Sequence, residues 1–163
     1  MPTGPWLVYD WFDGELLRKH ARVAALAVPA IERCIATIFD LHVALADAGW
    51  IAGDFYDAAL MYDFATSELR VIDLDSYHRG PYRNAMGRMY GSSRFMAPEE
   101  FELGALIDER TTVFTLGRAA FVLLGEGDAF RSSLARRAIA ERACAPNRAQ
   151  RFASVRELRD AWG

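Results

Sequence analysis

The chain has 163 residues, 52% of them hydrophobic and 12% aromatic, which suits one domain with a real core and excludes a disordered chain. A formal net charge of −3 gives no electrostatic basis for binding nucleic acid or an anionic membrane, so neither is expected as a partner. Cys34 and Cys144 fit no metal or disulfide spacing and suit the buried thiols of a cytoplasmic protein; there is no signal-peptide pattern, and the apolar run around Pro29 is too short to span a bilayer.

In chain order, residues 6–12 ("WLVYDWF") are aromatic and β-branched and predict a strand or extended segment, turned at Asp13-Gly14. Residues 15–22 suit a short helix. Residues 28–49 predict the clearest helix: Ile31, Ile35, Ile38, Leu41 and Leu45 recur at helical spacing, Pro29 sits near the start and Gly49 closes it. Residues 58–64 and 68–74 flank a polar turn at Ala65-Thr66-Ser67 and predict a hairpin. An isolated hairpin is marginal, so this one is expected to lie on the helices. Residues 75–96 lack periodicity and predict a long loop, a kind of segment that is usually functional or mobile. A short helix is expected from Pro98, then helices over 108–125, 132–143 and 154–162, the last opened by Ser154 with Glu157 three residues on. The expected fold is mostly α with a small β-hairpin.

One stretch stands out within this order. "VIDLDSYHRG", residues 71–80, delivers Asp73 and Asp75 from a short β-branched run. Taken alone, these are turn-forming acids at a strand end as readily as metal ligands.

Its neighbours carry a resemblance. "AGDFYDAALMYD" (52–63), "VIDLD" (71–75), "GSSRFMAPEE" (91–100), "DERTTVFTLGRAAFVLL" (108–124) and "APNRAQRFASVRELRDAW" (145–162) resemble, in order and spacing, the C-terminal lobe of eukaryotic-type Ser/Thr protein kinases, in a divergent, bacterial-like form. They match the catalytic loop, the metal-binding motif, the end of the activation segment and the helices that follow. "LVYDWFDGELL" (7–17) looks like the hinge that begins the lobe. The resemblance implies a single kinase-like C-lobe over 1–163: hinge-like to residue 17, catalytic-loop-like at 52–63, activation-segment-like at 71–99 and helical from 108.

Residue by residue, it implies that Asp54 accepts or orients the proton of an attacking hydroxyl. Asp73, with Asp75 as a second ligand, holds Mg²⁺ on ATP phosphates. Ser92 bridges toward Asp54, which points to Ser/Thr rather than Tyr acceptors. Met61 and Leu60 lie under the adenine, and Asp10 and Phe12 offer hinge backbone groups. Glu99 and Arg151 form a buried ion pair that clamps the activation segment to the helical base, while Arg148 is exposed. His42 is a packed core residue, and His20 and His78 are solvated. Such chemistry rests on positioning and charge neutralisation.

The departures from the family pattern weigh on activity. The only lysine is Lys19, after the hinge, and the only Gly-x-Gly is at 125–127, so the N-lobe's glycine-rich loop and phosphate-pairing lysine have no counterpart. Ala52 replaces the loop histidine. Ala59 stands where asparagine holds a second metal, with Asp57 a substitute ligand. Phe55-Tyr56 replaces the pair that carries a lysine, and Thr112 replaces the helix aspartate that pins the loop. The expectation is a Ser/Thr-kinase-like phosphotransferase, inactive as an isolated chain, that uses Mg²⁺ and ATP if active and otherwise no cofactor. Its N-lobe would come from upstream or from another chain. The alternative is a pseudokinase-type binding module, with a protein partner at the exposed Trp6–Phe12 face. A small-molecule kinase is a weaker third reading, since Ala97-Pro98-Glu99 is an element those enzymes generally lack.

Overall fold

In the computed structural model, which describes residues 10–19 and 25–163, helices hold about 47% of the described residues and the rest is loops and short antiparallel pairings. The chain runs β1 (Glu15–Leu16), α1 (Val28–Asp47), β2 (Trp50–Ile51), β3 (Leu60–Asp63), β4 (Glu68–Val71), β5 (His78–Arg79), β6 (Tyr82–Arg83) and β7 (Leu106–Ile107). Then come α2 (Glu109–Leu124), α3 (Leu134–Ala143) and α4 (Val155–Trp162). No described helix is long and apolar enough to cross a membrane.

Helix α1 forms where the apolar repeat predicts it. Its buried stripe is Ile31, Cys34, Ile35, Ile38, Phe39 and His42, while Leu41 and Leu45 of the predicted stripe are only half-buried. Each large aliphatic buried here contributes about 1.5–3 kcal/mol. Helix α2 is the centre of the molecule and packs against α1, α3 and α4. It is buried on most of its circumference. Its start is fixed by Asp108, which accepts from the Arg110 N–H while Thr111 Oγ1 accepts from the Asp108 N–H. Gly117, in its middle, marks the closest approach to α3. A Cβ there would stand 2.7 Å from both Ala143 Cβ and Cys144 Sγ, so the helix tolerates a residue of poor propensity to let the two axes meet.

Helix α4 starts as its sequence predicts. Ser154 accepts from the Glu157 N–H at 3.1 Å, but Glu157 reaches back to the Ala153 N–H rather than to that of Ser154. Cys34 is buried, Cys144 half-buried, and both are free thiols.

The hairpin is present as β3–β4, with Asp63 closing the turn by accepting from the Ala65 N–H at 2.7 Å. Two local expectations differ. Residues 15 and 16 form no helix; they pair with β3, Glu15 opposite Tyr62 and Leu16 opposite Met61, making a third strand before a 3₁₀ turn at Leu17–Lys19. The third strand, together with Leu17 at 2% exposure, supplies the support that a lone hairpin lacks. Within the expected long loop, β5 pairs with β2 and β6 with β7, so its backbone donors are partly satisfied by flanking segments. The expected strand at 6–12 lies largely outside the described residues; of it, residues 10–12 are irregular. His20, Trp6 and Tyr9 also lie outside them.

A buried ion pair closes the base. Arg151, whose side chain is fully buried, forks onto Glu99 with Nη1 to Oε1 at 2.7 Å and Nη2 to Oε2 at 3.0 Å. Its remaining three donors go to the carbonyls of Ala145, Arg110 and Pro146, so all five guanidinium N–H groups have acceptors. Glu99 also accepts from Thr111 Oγ1 at 2.9 Å. Burial works to raise the Glu99 pKa, but the Arg151 bonds outweigh it and hold the carboxyl below its ordinary value. Arg148 departs from its expected exposure: its side chain is 26% exposed, donates to the Leu106 carbonyl at 2.6 Å and pairs with Asp108 at 2.6 Å.

Candidate functional site

The loop after β2 is placed by helix α2. The Ala52 N–H donates to Thr112 Oγ1 at 3.1 Å, a buried bond across 60 residues. The neutral hydroxyl therefore ties this loop to α2. Next in line, Gly53 is pressed on the following segment: a Cβ there would meet the Ser76 carbonyl oxygen at 2.1 Å. Only glycine permits this approach between the two loops.

Asp54 and Asp73 share an unusual backbone. Both lie in the left-handed region, at φ +50° and +61°, where a non-glycine residue stores strain. Among the described residues, the buried Asp54 Oδ1 has no hydrogen-bond partner. Burial first, and then the charge of Asp73, push the Asp54 pKa up. Asp54 lines a cavity of about 10 Å³, together with Ala52, Phe55, Gly91, Ser92, Glu100 and Thr115 among others. That space holds roughly one water, or one hydroxyl of the same size. Ser92 thus stands in the wall of the Asp54 cavity, and a Cβ on Gly91 would come within 3.2 Å of Asp54 Oδ1.

Glu100 is a wall residue that sequence reasoning missed. It is 6% exposed, and its Oε2 accepts from the Ala97 N–H at 2.6 Å. Burial raises its pKa to about 7, with Glu99 and Asp54 adding to the rise. One signal was legible: an acid three residues after the residue that precedes a proline-started helical turn reaches back to that residue's N–H.

Asp73 and Asp75 line a second, larger cleft of about 620 Å³, together with Asp10, Phe12, Ile72 and Leu74. Arg70 lies 4.5 Å over the Phe12 ring. The strand alternation of β3 divides the two residues expected beneath an adenine. Leu60 is 1% exposed and belongs to the core, Met61 is half-buried on the opposite face, and neither lines this cleft. Ala59 is also core. Asp57 is buried against Arg94 at 3.5 Å and does not line the cleft of Asp73.

Among the described residues no group of three or more His, Cys, Asp or Glu is arranged to hold a metal ion. Asp73 and Asp75, which with Asp10 line one cleft, still match the donor set of Mg²⁺, which takes one or two carboxylates and completes its shell with phosphates and water. Neither is a protein cage.

His42 is a core residue: Nδ1 bonds the Ile38 carbonyl at 2.7 Å and Nε2 the Tyr77 hydroxyl at 2.7 Å, and burial lowers its pKa to about 4. His78 is exposed, with its ring against Tyr82. Of the aromatic face expected to meet a partner, Trp11 is 88% exposed and Phe12 is half-buried.

No family model matches the chain, and no curated protein matches it.

Proposed function

We propose that this chain carries the hydroxyl-acceptor and metal-bearing half of a Ser/Thr protein-kinase-like phosphotransfer site, within a kinase-like helical lobe. One observation carries the reading: Asp54, on a strained left-handed backbone and with a buried Oδ1 that has no hydrogen-bond partner among the described residues, lines a space of hydroxyl size. An acceptor oxygen with no donor is costly to bury and suits a ligand O–H that arrives later. Asp54 would orient that hydroxyl and take its proton, its basicity helped by burial and by Asp73. Asp73 and Asp75 would hold Mg²⁺, which when bound with ATP neutralises phosphate charge. The larger cleft has room for nucleotide phosphates. The bidentate Glu99–Arg151 pair and the Thr112 bond to the loop support the same reading, because each fixes the segment that walls the cavity.

A second reading, a pseudokinase-type binding module, is favoured by Ala59, which is buried core where a second metal ligand would be needed, and by Tyr56 in place of a loop cation. Calorimetry with ATP separates the two. The first reading expects weak, saturable binding that needs Mg²⁺ and disappears in Asp73→Ala. Absence of binding at millimolar nucleotide with Mg²⁺, or binding indifferent to Asp73, would select the second.

A further inference from the structure

The segment that walls the Asp54 cavity differs electrically from the rest of the chain. Residues 76–98 hold Arg79, Arg83, Arg88 and Arg94 and no Asp or Glu, while the other 15 of the 19 Lys and Arg stand against all 22 Asp and Glu elsewhere. All four arginines are exposed. Two of them border the cavity. Arg88 donates to the carbonyls of Met89 at 3.3 Å and Gly91 at 3.4 Å, and Gly91 is the residue packed on Asp54 Oδ1. Arg94 lies between the wall residues Ser92 and Phe95. Its carbonyl is fixed by Arg118 Nε at 2.7 Å, its guanidinium stands 3.5 Å from Asp57, and its side chain is 53% exposed. Apolar surface is interleaved with this charge: Met86 is 51% exposed, Tyr90 77% and Phe101 43%, the last with Arg88 over its ring at 5.9 Å.

We infer that this face is a docking site for an acidic polypeptide segment, whose carboxylates meet Arg88 and Arg94 on either side of the acceptor hydroxyl. The inference rests on the phosphotransfer reading for the hydroxyl, but not for the docking. Guanidinium forks match carboxylates in geometry as well as charge. Exposed Met and aromatic surface between the cations suits a polypeptide, which brings apolar side chains along with its acids. A long polyanion fits less well. It would also run over the acidic remainder of the chain, whereas a short peptide feels mainly charges within a screening length of about 8 Å.

The test is fluorescence anisotropy on the whole chain without nucleotide. The probe is a short labelled peptide with a central Ser flanked by Glu; versions with Gln or Lys replacing Glu, and a short single-stranded oligonucleotide, are the comparisons. The Glu peptide is expected to bind about tenfold or more tighter than the Gln peptide, which is one step of 1.4 kcal/mol, and to weaken as salt is raised. The pair Arg88→Gln with Arg94→Gln is expected to lose most of that advantage, and Arg156→Gln, on α4, to keep it. If the double variant fails to fold by circular dichroism, Arg88→Gln alone gives the same readout, since its bonds are to loop carbonyls. Equal affinity for the Glu and Gln peptides, no saturable binding of the Glu peptide, preference for the oligonucleotide, or unchanged affinity in the arginine variants would each overturn the inference. Asp73→Ala is expected to leave peptide binding intact. A wild-type chain that binds the peptide but shows no Mg²⁺-dependent ATP binding, or ATP binding that survives Asp73→Ala, would therefore count against the phosphotransfer reading alone.

Discussion

Arg151 has five N–H donors, and the fold supplies an acceptor for each, two of them on Glu99. Truncating it leaves a carboxylate buried at 5% exposure beside three orphaned carbonyls. Arg151→Ala is therefore expected to cost about 3–5 kcal/mol and to lower the thermal midpoint sharply. Arg156→Ala, whose pair with Asp47 is more than half exposed on both sides, should barely move it. Arg148 is no neutral control, because it reaches the Leu106 carbonyl and Asp108. Glu100 sets a second expectation. Its folded pKa of about 7 lies above its ordinary value of 4.5, so the folded state holds the proton more tightly than the unfolded one. Its contribution to stability is complete below about pH 4.5 and is lost as pH rises through 7. Glu99, Asp54 and Arg151 all act on this group, and Tyr82 has its own pKa raised by burial and then by the charge of Glu100. His42 runs the other way: with a folded value of about 4 against 6.5, its contribution is complete above pH 6.5 and is lost as pH falls toward 4. Glu100→Gln keeps an acceptor for the Ala97 N–H and removes the alkaline loss. Its stability should be close to wild type near pH 5 and exceed it at pH 8 by an amount of the order of 2 kcal/mol, read as a higher melting temperature. A constant difference across that range would refute the assignment.

Helix α2 acts on the site through its first turns and on the core through its middle. Thr112 holds the Ala52 N–H across a buried bond. Thr112→Val keeps the shape and removes the acceptor, which should cost about 1–3 kcal/mol for an unsatisfied buried donor. Amide hydrogen exchange is expected to quicken at Ala52 in that variant while the centre of α1 stays protected; unchanged exchange at Ala52 would mean that the hydroxyl does not anchor the loop. Gly117 tests the core. Gly117→Ala places a methyl where Ala143 and Cys144 already stand 2.7 Å away, so α2 and α3 must separate. Despite alanine's better helix propensity, denaturant unfolding should show a loss of about 1–3 kcal/mol.

At the scale of the whole molecule, the larger cleft, of about 620 Å³, is lined by three carboxylates, Asp10, Asp73 and Asp75, and by Arg70. Ligands bind tightly when most of their surface is enclosed. The resemblance places phosphate contacts on a glycine-rich loop and a strand lysine that have no counterpart in this sequence. The isolated chain is therefore expected to transfer no phosphate from ATP to itself or to generic protein acceptors. Radiolabel transfer that Asp73→Ala abolishes would contradict this.

The helices were legible in the sequence because their signals are local. The Ile31–Ile38 repeat, Pro29, and Ser154 with Glu157 act within a few residues of chain and place α1 and α4 within about two residues of their ends. The meeting of Glu99 with Arg151 was legible through resemblance, since no local property links residues 52 apart. Long-range contacts decided the rest. Glu15 and Leu16 became a strand because β3 offered an open edge, where local propensity suggested helix. Leu60 went to the core and Met61 away from it because neighbours on a strand point to opposite faces. Thr112 came to hold the loop because its hydroxyl on α2 reaches the Ala52 N–H 60 residues away. Glu100 and Asp54 came to share one cavity only when the chain had folded. Their perturbed protonation follows from desolvation and neighbouring charge, properties of packed space that the order of residues does not display.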